Sequence, residues 1–212
     1  MIQIKIFAFN AFQENTFVLF DETGEAIIID AGCQTENEIA ALQNFILHQK
    51  LKPVQLLGTH GHIDHILGNG FLKGHYQISY RAHEGDLFLI ENAIQQGSMF
   101  GLDIKKPPLP DSFLADSELI HFGNSELEVI HLPGHSPGGV GFYCKAQGFI
   151  VVGDVLFSKS IGRTDLPGGD YDQLINGIKS RLLVLPENTI VYPGHGPQTT
   201  IGEEKRNNPF LQ

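Results

Sequence analysis

Between positions 60 and 65 the chain reads His60-Gly61-His62-Ile63-Asp64-His65, which places four potential metal ligands within six residues. In an extended segment His60 and His62 point the same way. Asp64 and His65 fall where the chain should turn into a helix, so they can face a second position a few ångströms away. Imidazole and carboxylate ligands together suit zinc and iron. Three further candidates stand at strand ends beside glycine: His135 in Pro133-Gly134-His135-Ser136-Pro137-Gly138, Asp154 after Val152-Gly153, and His195 in Tyr192-Pro193-Gly194-His195-Gly196. Glycine permits turns that other residues resist and lets a bound group approach the backbone closely. A bare His-x-His is weak evidence of metal, whereas the six-residue run with three glycine-flanked ligands downstream is strong. Asp30, ending an apolar run, reads as a partner that positions the ligand loop rather than as a ligand. His48, His75, His83, His121 and His131 have no ligand-type spacing and read as ordinary packing or surface residues. There is no GxSxG elbow, no Walker loop and no full GxGxxG fingerprint before a helix.

The elements that must carry these residues can be sketched from periodicity. Ile2–Phe9 and Asn15–Asp21 read as strands, and Ala26–Ile29 as a buried strand running into Asp30-Ala31-Gly32. Thr35 and Glu38 fit a capping box, with Ile39, Leu42, Phe45 and Ile46 following at helical spacing. Pro53 closes that unit, and a strand over Val54–Gly58 delivers the chain to Thr59-His60. A helix is expected near Ile63, a strand over Tyr76–Ala82 and one helix over Glu84–Met99. Lys106–Pro110 cannot be helix interior and reads as a surface loop that could act as a lid. Strands follow at Glu118–Phe122, Leu127–Leu132, Val140–Cys144 and Phe149–Val152, then a helix at Tyr171–Leu183 and a strand at Thr189–Tyr192. This order favours mixed sheets with outer helices, an α/β or α+β class.

Composition bounds the function. The chain has 212 residues, suited to one domain with a sizeable core. Its formal charge of −10 argues against nucleic acid as a partner, because wrapping DNA or RNA calls for basic surface. Cys33 and Cys144, the two cysteines, form no CxxC pair and argue against a disulfide scaffold or a thiolate zinc site. No apolar run approaches the roughly 20 residues that span a bilayer, and the start MIQIKIFAFN lacks the pattern of a signal peptide. The expected compartment is the cytosol.

The motifs HGHIDH, PGHSPG, VGDVLF and YPGHGP, the loop Ser160-Ile161-Gly162-Arg163-Thr164-Asp165 and the ending Asn208-Pro209-Phe210-Leu211 together resemble the metallo-β-lactamase superfamily, and within it the short glyoxalase II-like hydrolases. That resemblance implies a four-layer αββα sandwich over residues 1–212. It implies two divalent metal ions, zinc first with iron or manganese as alternatives. His60, His62 and His135 would hold one, Asp64, His65 and His195 the other, and Asp154 would bridge them. It further implies a small-molecule thioester of the hydroxyacylglutathione type as substrate, cleaved by a hydroxide that the metals share, with Asp64 and Asp154 in the catalytic set. The chain ends about where two-domain relatives begin the helical domain that contacts glutathione. Arg163 and Lys145 are left as the expected cationic contacts, and Asp165 stands where those relatives often carry an aromatic. A second reading is a mononuclear iron persulfide dioxygenase, which shares the Gly162–Asp165 loop and would use His60, His135 and Asp154 as its triad.

Overall fold

The computed structural model describes residues 1–212. In the amino-terminal half, β1 (Gln3–Phe9), β2 (Glu14–Phe20) and β3 (Glu25–Ile29) form an antiparallel meander. Helix α1 (Glu36–His48) then crosses over, so that β4 (Lys52–Leu57) joins β3 in parallel. The capping box is formed: Thr35 accepts from the Glu38 amide and the Glu38 carboxylate accepts from the Thr35 amide. Helix α2 (Asn69–Tyr76) leads to β5 (Ser79–His83). Two short helices, α3 (Leu87–Glu91) and α4 (Ala93–Met99), precede β6 (Ser112–Leu114), and β4, β5 and β6 are parallel. The first sheet thus has the order β1-β2-β3-β4-β5-β6.

The second sheet repeats the scheme, a meander followed by a crossover to a parallel strand. β7 (Leu119–Phe122), β8 (Ser125–His131), β9 (Val140–Cys144) and β10 (Phe149–Gly153) are an antiparallel meander. After the small hairpin β11 (Leu156–Phe157) and β12 (Ser160–Ile161) comes α5 (Tyr171–Gly177), continued by a π-helical turn over Ile178–Leu182. β13 (Ile190–Pro193) lies parallel to β10, β14 (Thr199–Thr200) flanks it, and α6 (Ile201–Asn207) follows.

The layering follows from strand periodicity. Phe17, Leu19, Ile27 and Ile29 point into the space between the sheets, where they meet Leu127, Phe142 and Val151. Their neighbours Val18, Ala26 and Ile28 face the other way, against Leu42 and Ile46 of α1 and Leu72 of α2. On the second sheet Phe149 and Val151 face inward, while Ile150 and Val152 pack on Leu174, Ile178 and Ile201. Strands buried on both faces read as continuous apolar runs, and each fully buried Ile, Leu or Phe stabilises the fold by about 1.5–3 kcal/mol. Two sheets facing one another with helices outside make the expected αββα sandwich.

Four local expectations change. Pro53 lies inside β4, at the register shift between Ala26 and Ile27, so its missing donor interrupts no regular pairing. The helix expected from near Ile63 starts later: a single 3-10 turn, Ile63–His65, precedes α2, which begins at Asn69. Tyr76 ends α2 rather than opening a strand, because Gln77 adopts a left-handed conformation with φ 54°. The long helix over Glu84–Met99 breaks at Asn92, whose side chain donates to the Phe88 carbonyl at 2.7 Å.

Candidate metal centre

All seven proposed ligands converge at the edge of the sandwich where the strand-end loops of both sheets meet. Past β4, Thr59 accepts from the Val140 amide at 2.8 Å, so the His60–His65 segment of the first sheet is tied to β9 of the second. The backbone leaves β10 through Gly153 with φ +54°, where a Cβ would lie 2.3 Å from Thr59 Oγ1. Gly194 passes so close that its Cβ would meet Asp154 Oδ1 at 2.2 Å and His65 Cε1 at 2.7 Å, so any larger residue would intrude on both side chains. Asn15 anchors the same loop, with its backbone amide on the Gly194 carbonyl and its side chain on the carbonyls of Pro193 and Gly196.

Two clusters result. His60, His62 and His135 bring one nitrogen each within 4.8 Å of one another, and Asp64, His65 and His195 do the same with their ligand atoms. Asp154 stands between them: Oδ1 is 3.5 Å from His65 Nε2, while Oδ2 is 3.5 Å from His195 Nε2 and 3.7 Å from His135 Nε2. His60 Nε2, His65 Nε2 and Asp154 Oδ1 are buried without any hydrogen-bond partner. His62 Nδ1 faces His135 Nε2 at 2.8 Å, two nitrogens that need a proton or a cation between them. Orphaned lone pairs converging in this way are costly unless something electron-poor sits among them. The donor set therefore fits two divalent cations.

The far side of each ring explains its orientation. His195 Nδ1 donates to the Phe12 carbonyl at 3.0 Å, and His135 Nδ1 to the Arg163 carbonyl at 2.7 Å. His60 Nδ1 lies 3.0 Å from Thr59 Oγ1, which itself donates to Asp30 at 2.6 Å. His65 Nδ1 also bonds Asp30, at 3.0 Å. Asp30 lies near enough to His60 and His65 to be counted with them. Its oxygens are already taken by Thr59 and His65, and it acts as the orienting partner. Such outer hydrogen bonds fix the tautomer and raise ligand basicity.

Electrostatics divide the rings. Burial, reinforced by His135, pushes His62 down to about 3, and burial with the neighbouring imidazoles holds His60 well below its usual value. For His65, burial is outweighed by Asp64, Asp154 and Asp30, which raise it well above the usual range. Burial would raise Asp154, but His65, His135 and His195 pull it down instead. The carboxylates that favour a proton on His65 would equally favour a cation among these rings.

Sequence reasoning missed Asp86. This buried carboxylate accepts from the Gly61 amide at 2.8 Å, Ser136 Oγ at 2.7 Å and the Gly138 amide at 2.5 Å, fastening the two ligand loops together. Burial raises its pKa. In the sequence it falls in the first turn of the helix expected over Glu84–Met99, and only the fold reveals the clamp. Over the clusters opens a cavity of about 250 Å³. Arg163 lines it. Lys145 does not: it lies in the turn after β9, beside Met1 and Gln147, in a separate depression. β9 starts at the site and carries the chain away from it, so Lys145 emerges at the opposite end of the strand. Lys106–Pro110 does not border the cavity either; Met99 and Phe100 at the end of α4 do, facing Leu166 and Pro167.

A family model described as the metallo-beta-lactamase superfamily matches residues 9–195. The chain belongs to this superfamily. Hydroxyacylglutathione hydrolase GloC of Haemophilus influenzae is 41% identical over 212 residues, covering 99% of this chain and 98% of that protein. Among solved structures, the BLEG-1 B3 metallo-β-lactamase superposes with a TM-score of 0.91 at 36% identity, covering 99% of this chain and all of its own. TTHA1623 in a di-iron-bound form gives 0.88 at 40%, covering 98% of this chain and all of that one. The candidate metal site lies at the edge of the sandwich, and its His-rich donor set suits divalent ions. No helix is long and apolar enough to cross a membrane.

Metal-saturated protein is expected to hold close to two ions per chain by elemental analysis, because the two clusters are separate and Asp154 faces both. His195→Ala should weaken the site shared with Asp64 and His65 more than the His60–His62–His135 site. A firm stoichiometry of one in the parent protein would reject the dinuclear arrangement.

Proposed function

We propose that this protein is a dinuclear metal-dependent hydrolase that cleaves a small-molecule thioester of the hydroxyacylglutathione type. The observation that carries this reading is the pair of three-ligand clusters with Asp154 between them, beneath a cavity large enough for a small acyl group. The likeness to the Haemophilus hydroxyacylglutathione hydrolase supports it. Zinc is the proposed metal, with iron or manganese as alternatives.

Divalent ions held at the two clusters would lower the pKa of a bound water toward about 7 and would polarise the scissile carbonyl. His60, His62 and His135 would hold one, and Asp64, His65 and His195 the other. Asp154 would orient the attacking oxygen from its position between the clusters. A thiolate is a good leaving group, so no side chain need act as a strong general acid. The carbonyls of Phe12 and Arg163 keep His195 and His135 in their tautomers throughout.

The test compares one preparation on two substrates. Zinc-loaded protein under argon is expected to cleave S-lactoylglutathione in proportion to metal content. Oxygen uptake with glutathione persulfide that tracks iron content, with no thioester cleavage, would replace this reading by the persulfide dioxygenase.

A further inference from the structure

The turn between β1 and β2 carries a side chain whose hydrogen bonds lead to one metal cluster and not to the other. Asn10 follows β1 directly and is buried, with 7% of its surface exposed. Its backbone is left-handed, with φ 51°, a conformation that asparagine tolerates better than most residues. One end of its amide faces the 3-10 turn after β4: Nδ2 donates to the Asp64 carbonyl and to the Gly32 carbonyl, each at 3.0 Å. The Asp64 carbonyl belongs to the planar peptide that joins Asp64 to His65, so this bond holds the unit from which two ligands project. The other end, Oδ1, accepts from the Phe12 amide at 2.9 Å. The carbonyl of that same Phe12 accepts from His195 Nδ1 at 3.0 Å. Two carbonyls on one side and an amide N–H on the other admit a single orientation of the Asn10 amide.

Asn10 is itself fastened. Its backbone amide donates to Glu38 Oε1 at 2.6 Å, while Oε2 of the same carboxylate takes the amides of Gln34 and Thr35 at 2.9 and 2.8 Å. The carboxylate that completes the capping box of α1 therefore also anchors the β1–β2 turn. The second cluster thus draws its support from α1 through one residue. The first is oriented by other groups: His60 by Thr59, and His135 by the Arg163 carbonyl.

Resting on the two-cluster reading of the metal centre and independent of which thioester is cleaved, we infer that Asn10 is the positioning residue of the Asp64–His65–His195 site. It holds the peptide between two of the ligands and, through Phe12, the ring of the third. The His60–His62–His135 site does not depend on it.

The test is zinc binding to the metal-free full chain, read by competition with a chromophoric chelator, so no turnover is needed. Asn10→Gly suits the positive φ and keeps the backbone bond to Glu38, and so removes only the side-chain bonds. In a His62→Ala background, which keeps Asp64, His65 and His195, it should weaken zinc about thirtyfold, within the range known for partners of metal ligands. In a His195→Ala background, which keeps His60, His62 and His135, the change should stay within about threefold. Thr35→Ala is the stability control: it frays α1 beside Glu38 yet leaves both routes to the ligands in place. It should lower the melting midpoint of the metal-free protein and leave both zinc constants of the parent unchanged. Equal weakening in the two backgrounds, an unchanged constant in the His62→Ala background, or the same loss of zinc affinity from Thr35→Ala overturns the inference and leaves the proposed function standing. A parent chain that binds no zinc overturns both.

Discussion

Asp154→Asn is expected to lower turnover about 10³-fold at saturating metal while shifting the melting midpoint of the metal-free protein by less than about 6 °C. The carboxylate offers one oxygen toward His65 and the other toward His195 and His135. An amide keeps the shape but replaces one of these acceptors with a donor and removes the charge that orients the nucleophile. A 10³-fold loss corresponds to about 4 kcal/mol of barrier. The stability effect is smaller, because the side chain lies at the end of β10 in a polar cleft and supports none of the three apolar clusters. Steady-state rates with matched elemental analysis check the first part, and thermal melts the second. A variant that binds two ions and keeps turnover within tenfold of the parent contradicts the assignment.

Asp86→Ala is expected to have the largest effect on stability, about 3–5 kcal/mol in urea unfolding of the metal-free protein. Removing the carboxylate strands the Gly61 amide, the Ser136 hydroxyl and the Gly138 amide in a buried place. Water can satisfy part of this demand only by entering a cramped space: a Cβ at Gly138 would already sit 2.5 Å from the Asp86 amide nitrogen. Ser136→Ala removes one of the three donors and should cost about 1 kcal/mol. Because the clamp joins the loops bearing His60–His65 and His135, Asp86→Ala should also weaken metal affinity. A loss below about 1 kcal/mol for Asp86→Ala would show that the clamp contributes little.

The candidate ligands were legible as a group in the sequence because their signal is local. His60, His62, Asp64 and His65 sit in one run, and the other three each stand beside a glycine that the structure uses for close passage. The sandwich was legible where strands are long and buried, as in β2, β3 and β10. Short elements escaped notice: β6, β11, β12 and β14 have two or three residues each, too few to show a period. α6 escaped as well, since its residues are largely polar. Residues that act across the fold escaped for another reason. Phe12 contributes a carbonyl, which any residue type supplies, and Asp86 finds its partners 25, 50 and 52 positions away. Lys145 was misassigned because composition marks a cation without saying at which end of its strand it emerges.

The convergence of loops from both sheets also constrains the order in which the molecule can be made. Ligands of the two clusters are drawn from positions 60 to 195, and His195 follows β13, near the carboxy-terminal end of the chain. Contacts so distant in sequence form late, after the intervening chain has lost its freedom. An ion therefore meets an incomplete site throughout synthesis of the first sheet and most of the second. The apolar layers, rather than the metal, must bring the two halves together. An ion that binds the folded chain would then stabilise it by mass action, in proportion to the logarithm of its free concentration.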